Sequence, residues 1–318
     1  MTFTILTNNW ELKTKFSRRE FLFLLAILPL LSSYSFNESS FADKLVYLAG
    51  KDNCILLSEV KSGKIIGCAN KNLINKPFTI GSIAKIITSI ALLEEGLISD
   101  KEIMSCKGKE NIAGKDIICW KPSGHGRLNI ESGISESCNI FFYKASLRIS
   151  PEDILKYYKI LNLIPKDLNY KPNNIYEIAL GLDKHICTTP LQLLSLVNFL
   201  ATNGIYKPVW FNNQAESYNI KEKLTIKNST ISIIKNGMIS AGQQGTAKKI
   251  HSNGYEVAIK TGTAPNDNNT MHGFAVGFVP SVNPKISFCI LVKNGTGFSN
   301  AVPLVNKVLK LCSEYHYL

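Results

Sequence analysis

The chain has 318 residues, of which 45% are hydrophobic and 19% are charged, and its formal net charge is +12 at pH 7. This composition is that of a globular protein and excludes a disordered chain, and no internal repeat or low-complexity run is present. The positive charge would attract an anionic partner such as an acidic polymer or lipid headgroups, or it would serve only to keep the surface soluble. Because no zinc-finger, helix-turn-helix or RNA-binding pattern accompanies it, no nucleic acid partner is expected.

The first 42 residues have the features of an export signal. Ser17-Arg18-Arg19-Glu20-Phe21-Leu22 resembles a twin-arginine motif. The apolar run at 21–31 is shorter than the about 20 residues that a membrane span needs. Small side chains at Ser40 and Ala42 favour cleavage before Asp43. An ordinary secretory signal and an uncleaved anchor are the alternatives, and all three predict an extracytoplasmic protein, in the periplasm or on the outer face of the membrane.

Residues 43–318 are numerous enough to form one large domain with a full core. Two apolar stretches joined by Lys61-Ser62-Gly63 predict a β-hairpin at 54–69. Helical periodicity from Ser82 to Gly96 predicts a helix, and Thr189-Pro190 predicts the cap and first turn of a second one. Later strands are predicted at 257–261, 273–279 and 286–292, and a final helix at 301–311.

Three short polar motifs follow one another along these elements: Ser82-Ile83-Ala84-Lys85, Ser137-Cys138-Asn139 and Lys260-Thr261-Gly262-Thr263. Lys85 lies one helical turn after Ser82 on the same face, so its amine can reach the serine hydroxyl. Burial and a second cation such as Lys260 would lower the pKa of Lys85 and make it a base. Together the motifs supply the groups for acyl transfer through a serine ester. The alternative is that Ser82 merely caps a helix and Lys85 is solvated.

The order and context of these motifs resemble the transpeptidase domains of penicillin-binding proteins, of the class B kind and near its rod-shape elongation branch. The likeness extends from about residue 53 to residue 311. It is carried by the segments GSIAKIITSIALLEEGLI, GHGRLNIESGISESCNIFFYKAS, TTPLQLLSLVNFLATNGIYKP, QQGTAKKI, IKTGTA and HGFAVGFVP. The resemblance implies an α+β fold, in which an antiparallel sheet built from both chain ends is flanked by helices and accompanied by a helical subdomain.

The resemblance also implies an activity. The chain is expected to be a peptidoglycan D,D-transpeptidase that acts through a serine acyl-enzyme and is inhibited by β-lactams. Stem peptides of peptidoglycan would be its substrates, and a membrane glycosyltransferase is an expected partner. Class B members commonly carry an N-terminal pedestal domain before the active-site serine. None is predicted here, and residues 43–318 are interpreted as a catalytic domain.

Roles for individual residues follow from the same resemblance. The residues expected to be catalytic are Ser82, Lys85, Ser137, Asn139 and Lys260. Those expected to bind substrate are Thr261, Gly262 and Thr263, with Lys260 and Thr261 meeting the terminal carboxylate. The oxyanion hole is expected to consist of the backbone N–H groups of Ser82 and Thr263.

Other functions remain open at this stage. A serine β-lactamase needs a group that activates water, and the nearest stretch to the class A glutamate loop has Ile164 before Pro165. A D,D-carboxypeptidase would use the same serine with water as the acceptor. A β-lactam-acylated sensor or scaffold without turnover would need no acceptor at all.

A second group of chemically active residues lies within 33 positions: Cys106, Cys119, His125 and Cys138. Three thiols and one imidazole are a known tetrahedral zinc set, which predicts one structural zinc ion. The segment also resembles the metal site of the rod-shape elongation branch, with cysteines where that branch has carboxylates. A Cys106–Cys119 disulfide, which an extracytoplasmic location would permit, and unpaired thiols are the alternatives.

Overall fold

The computed structural model of the chain describes residues 2–7, 10–15, 40–206, 209–211, 222–223, 225–251, 254–266 and 270–318. The chain divides into two compact units, residues 1–40 and residues 41–318. In the first unit, β1 (Thr2–Thr7) and β2 (Trp10–Lys15) form an antiparallel hairpin. The twin-arginine motif and the apolar run lie outside the described residues, so the export signal stays a prediction.

The elements of the second unit alternate between short strands and helices. Its strands are β3 (Cys54–Glu59), β4 (Ile65–Ala69), β5 (Met104–Cys106), β6 (Lys109–Ile112), β7 (Lys115–Ile118), β8 (Gly126–Leu128), β9 (Ile205–Tyr206), β10 (Glu222–Lys223), β11 (Ala258–Pro265), β12 (Met271–Val279) and β13 (Ile286–Lys293). Its α-helices are α1 (Phe41–Ala49), α2 (Ala84–Glu94), α3 (Ile130–Ser135), α4 (Asn139–Ser146), α5 (Pro151–Ile160), α6 (Ile175–Leu180), α7 (Pro190–Ala201), α8 (Asn228–Gln243) and α9 (Val302–Glu314).

A five-stranded antiparallel sheet in the order β11-β12-β13-β3-β4 joins the two ends of the domain. The C-terminal strand β13 pairs with the N-terminal strand β3, with Phe288 opposite Leu57. The predicted hairpin is confirmed as β3 and β4, and the three later predicted strands are confirmed as β11, β12 and β13. The fold is therefore of the expected α+β class, with a sheet built from both chain ends.

Successive side chains along each strand point to opposite faces of the sheet, so the sheet divides the core into two layers. Ile55 and Leu57 of β3 join a cluster with α1 and α9 on one face, whereas Cys54 and Leu56 join the cluster formed with the helical subdomain on the other. Successive side chains of a strand point to opposite faces, so a strand buried on both sides is apolar throughout. The sheet is thus covered on both faces.

Helix α1 attaches the start of the second unit to its end. Phe41 is buried, and its ring lies 5.3 Å from that of Tyr315 and 4.8 Å from that of Tyr317. The predicted cleavage before Asp43 falls inside this helix and would remove that aromatic contact. Among the described residues, no helix is both long and apolar enough to cross a membrane.

Helix α2 lies at the centre of the helical subdomain and is buried on all sides from Ala84 to Leu92. A helix that is surrounded in this way is placed by packing rather than by an amphipathic pattern. It contacts α3, α5, α6 and α8, the 3₁₀ turn before it and the short helix α4. The polar side chains of Lys85, Thr88 and Ser89 are therefore held in the protein interior.

The pairing of β13 with β3, which joins the two ends of the domain, should contribute strongly to the free energy of unfolding. Replacing Phe288 by alanine removes a fully buried ring at the β13–β3 pair. It should lower the free energy of unfolding by about 3–5 kcal/mol, because the lost contacts and the cavity add. Urea unfolding of the purified chain measures this. Val282→Ala, at a side chain that is 71% exposed, serves as the control and should stay within about 0.5 kcal/mol of the parent. Equal stability of the two variants would contradict the assigned packing.

Candidate active site

The first motif is held where the turn before α2 meets strand β11. Gly81 has φ +51°, and a Cβ built on it would lie 2.2 Å from the carbonyl oxygen of Thr263. Only glycine permits this approach, because an L side chain would be strained and would also collide with the strand. The turn Gly81–Ile83 is a 3₁₀ helix that precedes α2. The half-buried Ser82 is thereby brought beside the third motif.

Lys85 is completely buried, and its amine contacts the first and second motifs together. Its Nζ lies 3.0 Å from Ser82 Oγ and 2.7 Å from Asn139 Oδ1. It also lies 2.6 Å from the carbonyl oxygen and 3.2 Å from Oγ of Ser137. Four oxygens therefore surround one amine, and the serine hydroxyl is one of them.

Lys260 completes the group from the third motif. It is also fully buried on β11, and its Nζ donates to Ser137 Oγ at 2.9 Å and to the carbonyl oxygen of Thr261 at 2.9 Å. Ser137 Oγ therefore lies between the two lysine amines. The chain of contacts runs from Ser82 through Lys85 and Ser137 to Lys260.

Burial changes the protonation of both lysines. It lowers the pKa of Lys85 to about 8, against smaller opposing effects of the Cys138 and Cys119 thiols. Burial, followed by the charge of Lys85, lowers the pKa of Lys260 well below its usual range. The sequence predicted that Lys260 would help to lower the pKa of Lys85. In the structure burial is the largest cause of the lowered pKa of both lysines, and both amines contact the Ser137 hydroxyl.

Ser137 has a backbone conformation that is unusual for serine. Its φ is +51°, in the left-handed region, directly after the end of helix α3. The Cys138 N–H donates to the carbonyl oxygen of Gly133, and the Ser137 N–H to that of Ile134. This is the bonding pattern of a Schellman helix end, where glycine normally occupies the left-handed position. Such strain persists when the surroundings hold it, and it is common at functional sites.

The three motifs open onto a cleft of about 630 Å³. Its lining residues include those predicted from the motifs, together with others that were not among the predicted site residues. The predicted ones are Ser82, Ser137, Asn139, Thr261, Gly262 and Thr263, whereas Lys85 and Lys260 lie behind them. The additional ones are Trp120, Lys121, Glu136, Gln244, Gly245, Thr246, Lys248 and Phe298.

Some of the additional residues had a signal in the sequence. Trp120 and Glu136 are direct neighbours of a candidate ligand and of the second motif. Thr246 belongs to the QQGTAKKI segment, and its hydroxyl lies 3.3 Å from that of Thr261. Phe298 follows the last strand, in a π-helical turn (Gly297–Ala301) that has no recognisable motif. Only the tertiary structure brings it to the cleft.

The candidate metal ligands also converge. The ligand atoms of Cys106, Cys119, His125 and Cys138 all lie within 4.8 Å of one another. His125 Nδ1 is 3.6 Å from Cys106 Sγ and 3.5 Å from Cys119 Sγ, and the sulfurs of Cys119 and Cys138 are 3.8 Å apart. All eight cysteines of the chain are described, and none of them forms a disulfide. A shared hydrogen bond lowers the pKa of Cys119 and raises that of Cys138.

Short strands bring these four residues together from separate parts of the sequence. Strand β5 pairs with β8, so that Cys106 lies opposite Gly126 and next to His125. The Cys119 N–H donates to the carbonyl oxygen of Gly108 at the end of the β6–β7 hairpin. Cys138 caps helix α4, with its sulfur accepting from a backbone N–H of the first turn. The loop that holds the cluster therefore abuts the second motif.

The geometry of the three motifs agrees with the protein family that the sequence matches. The family of penicillin binding protein transpeptidase domains matches residues 53–310. The chain therefore belongs to that family.

Individual relatives agree with the family assignment. The chain is 27% identical over 278 residues to stage V sporulation protein D of Bacillus subtilis (strain 168), covering 76% of this chain and 43% of that protein. It is 26% identical over 307 residues to the peptidoglycan D,D-transpeptidase FtsI of Buchnera aphidicola subsp. Schizaphis graminum (strain Sg), covering 80% and 52%. The chain thus spans about half the length of these relatives.

Solved structures share the fold. The transpeptidase domain of penicillin-binding protein 3 from Burkholderia pseudomallei superposes with a TM-score of 0.73 at 19% identity, covering 89% of this chain and 97% of that one. A complex of PBP2 with MreC from Helicobacter pylori contains a similar chain, with a TM-score of 0.72 at 21% identity, covering 87% and 62%.

The lowered pKa of Lys85 can be measured directly. In protein labelled with ¹³C at the lysine ε-carbons, one resonance should titrate near pH 8 and should be missing from Lys85→Arg. The neutral amine is the form above that pH, so about a tenth of the molecules carry it at pH 7. The denatured chain is the control, because all its lysines should titrate near about 10.4. Absence of any lysine that titrates below about pH 10 in the folded protein would contradict the burial argument.

Proposed function

We propose that the chain is a peptidoglycan D,D-transpeptidase that acts through an acyl-enzyme on Ser82 and is acylated by β-lactams. The observation that carries the proposal is the continuous set of contacts from Ser82 through Lys85 and Ser137 to Lys260 at the edge of an open cleft. Formation of a serine ester requires a nucleophile in contact with a base, and a lysine amine acts as a base in its neutral form. The name of the FtsI relative, a peptidoglycan D,D-transpeptidase, supports the same activity.

The first half-reaction follows from these contacts. Neutral Lys85 takes the hydroxyl proton of Ser82 as Oγ attacks the carbonyl carbon of the scissile peptide bond. The resulting oxyanion would be held by the backbone N–H groups of Ser82 and Thr263, which the Gly81 approach brings close to each other. The proton then passes to the leaving amine through Lys85, with Ser137 and Lys260 in hydrogen-bond contact for its relay. The product is an ester on Ser82.

Substrate position and the second half-reaction use the other residues of the cleft. Thr261 and Thr263 line it beside Lys260, and their hydroxyls suit the terminal carboxylate of a stem peptide. Asn139 would hold the substrate amide. An amine from a second stem peptide then attacks the ester carbonyl, Lys85 takes the proton of that amine, and Lys85 returns it to Ser82 Oγ as the ester bond breaks.

Transpeptidation is favoured over hydrolysis by what faces the cleft. Among the described residues that line it, Glu136 is the only carboxylate, and its Oε2 is directed toward His125, 3.6 Å from Nε2. Ile164, where a class A β-lactamase would place its glutamate, is buried in the core. A group that activates water for rapid deacylation is therefore missing from the described lining. Carboxypeptidase activity and a β-lactam sensor remain the alternatives that kinetics must separate.

The four-residue cluster is proposed to hold one structural zinc ion. A tetrahedral site with Zn–S of about 2.3 Å and Zn–N of about 2.0–2.1 Å requires S–S and S–N separations of about 3.8 and 3.6 Å. Three of the six separations between ligand atoms are 3.8, 3.6 and 3.5 Å, and all six are within 4.8 Å. The ion would cross-link the β5–β8 loop to the residue between Ser137 and Asn139. It supplies structure and no step of the acyl transfer.

Location and partners are part of the same proposal. The export-like leader supports an extracytoplasmic protein, in the periplasm or at the outer face of the membrane, because peptidoglycan is built there. One similar solved chain belongs to a peptidoglycan synthase complex that coordinates polymerization and crosslinking, with a TM-score of 0.71 at 19% identity. A membrane glycosyltransferase is accordingly the proposed partner, with peptidoglycan stem peptides as substrates.

Labelled penicillin should attach to Ser82 and remain attached for many minutes. Intact mass after Ser82→Ala should show no adduct, and Lys85→Ala should slow acylation by about 10²-fold or more, because a general base is lost. Ser89→Ala, one turn beyond Lys85 on the same buried helix, is the matched control and should label normally. Equal labelling of Ser82→Ala would exclude the proposed nucleophile, and rapid release from the parent would indicate a β-lactamase.

Protein purified without added metal should contain about one zinc ion per chain by elemental analysis. His125→Ala removes one ligand, so it should lower both the zinc content and the melting temperature, because metal binding free energy is folding free energy. His185→Ala is the control, since this exposed histidine lies outside the cluster, where it pairs with Asp183 and stacks on Tyr170. A metal-free parent with Cys106 linked to Cys119 in a peptide map would establish the disulfide instead.

A further inference from the structure

Glu136 joins the candidate metal cluster to the second motif, and the acyl-transfer steps above leave it without a role. Its backbone carbonyl oxygen accepts the indole Nε1–H of Trp120 at 2.8 Å. Its carboxylate Oε2 lies 3.6 Å from Nε2 of His125. The next residue in the chain is Ser137. Glu136 therefore contacts Trp120 and His125, which lie in the loop between β5 and β8, and a peptide bond joins it to Ser137.

The His125 ring has one nitrogen committed and the other unsatisfied. Nδ1 faces the sulfurs of Cys106 and Cys119. Nε2 is buried and has no hydrogen-bond partner among the described residues. A neutral imidazole that binds a metal through Nδ1 must carry its proton on Nε2. A metal-bound histidine almost always donates this second N–H to an oxygen, frequently that of a carboxylate.

Glu136 is the acceptor that the surroundings provide. Its carboxylate is the negatively charged group beside Nε2, at 3.6 Å, and the His125 side chain is only 1% exposed, so water has little access to it. A movement of a few tenths of an ångström would bring the two atoms to the usual hydrogen-bond distance of about 2.7–3.2 Å. The Trp120 ring packs edge-on against His125 at 5.1 Å and closes the other side.

The position of Ser137 gives this contact a consequence for catalysis. Ser137 lies in the left-handed region at φ +51°, a conformation that serine retains only when its neighbours are fixed. Cys138, on one side of it, belongs to the cluster. Glu136, on the other side, contacts His125. The cluster thus holds the strained turn from both of its ends.

We propose that Glu136 is a positioning residue whose carboxylate accepts a hydrogen bond from the Nε2–H group of metal-bound His125. This hydrogen bond couples metal binding to the orientation of the Ser137 turn. The inference rests on the proposed metal site and on the proposed acyl transfer. It assigns Glu136 no contact with the reacting atoms.

Chelator competition on the full chain tests the metal half of the proposal. Glu136→Leu should weaken zinc binding by about 10–100-fold, the usual effect of losing an outer hydrogen-bond partner of a metal ligand. Glu136→Gln keeps an acceptor oxygen, so it should lose less than about tenfold. Glu131→Leu, in the helix α3 that precedes Glu136, is the matched control, because its carboxylate contacts Asn236 instead. Unchanged zinc affinity in Glu136→Leu would overturn the proposal.

A double-mutant cycle tests whether Glu136 acts through His125. The rate of penicillin acylation should fall in Glu136→Leu, and the same substitution made in His125→Ala should cause little further loss, because contacting residues couple. Affinity for the penicillin before acylation should stay unchanged in Glu136→Leu. An equal loss in both backgrounds, or a loss of affinity alone, would mean that Glu136 touches the substrate in the cleft that it lines, and would overturn the positioning role.

The same measurements distinguish the role of Glu136 from the proposed zinc site and from the proposed transpeptidase activity. A parent chain that binds no zinc but is acylated at Ser82 would overturn the metal site and the role of Glu136, and would leave the transpeptidase proposal standing. A parent that binds zinc but is never acylated would overturn the proposed function. In that case the zinc affinities of the Glu136 variants still decide whether its carboxylate supports His125.

Discussion

The amine of Lys85 is buried without any exposed surface, and the rest of the site is organised around it. Burying a charged ammonium group costs several kcal/mol, a cost that is avoided when the group becomes neutral or is surrounded by oxygens. Helix α2 imposes both conditions, because it is packed on every side and turns this residue toward Ser82, Ser137 and Asn139. The packing that forms the core therefore also lowers the pKa of Lys85.

The second motif depends on structure that is distant along the sequence. Ser137 keeps a left-handed backbone at the end of α3, and the segments on both sides of it contact the loop between β5 and β8. Lys144 adds a further contact, since its amine donates to the carbonyl oxygen of Ser105 and pairs with Glu110. A loop that contributes only Trp120 and Lys121 to the cleft thus supports the serine between the two lysines.

Secondary structure was predictable wherever burial repeats regularly along the chain. The β3–β4 hairpin, helix α7 with its Thr189 cap and the three C-terminal strands lie within a few residues of the predicted positions. The helix predicted from Ser82 begins at Ala84, because the turn that carries the serine is a 3₁₀ helix. Strands β5 to β8 were not predicted, since strands of three or four residues show no alternation and exist through their pairing.

The sequence by itself determined the order of the polar motifs, the one-turn spacing of Ser82 and Lys85 and the set of four possible metal ligands, because these depend on residue type and local geometry. Only the tertiary structure decided that Lys260 meets Ser137 across 123 positions and that Lys85 is buried, which lowers its pKa. It also decided that the carboxylate of Glu136 faces a histidine ring. Burial and contact between distant residues arise from packing of the whole chain, which no local pattern encodes.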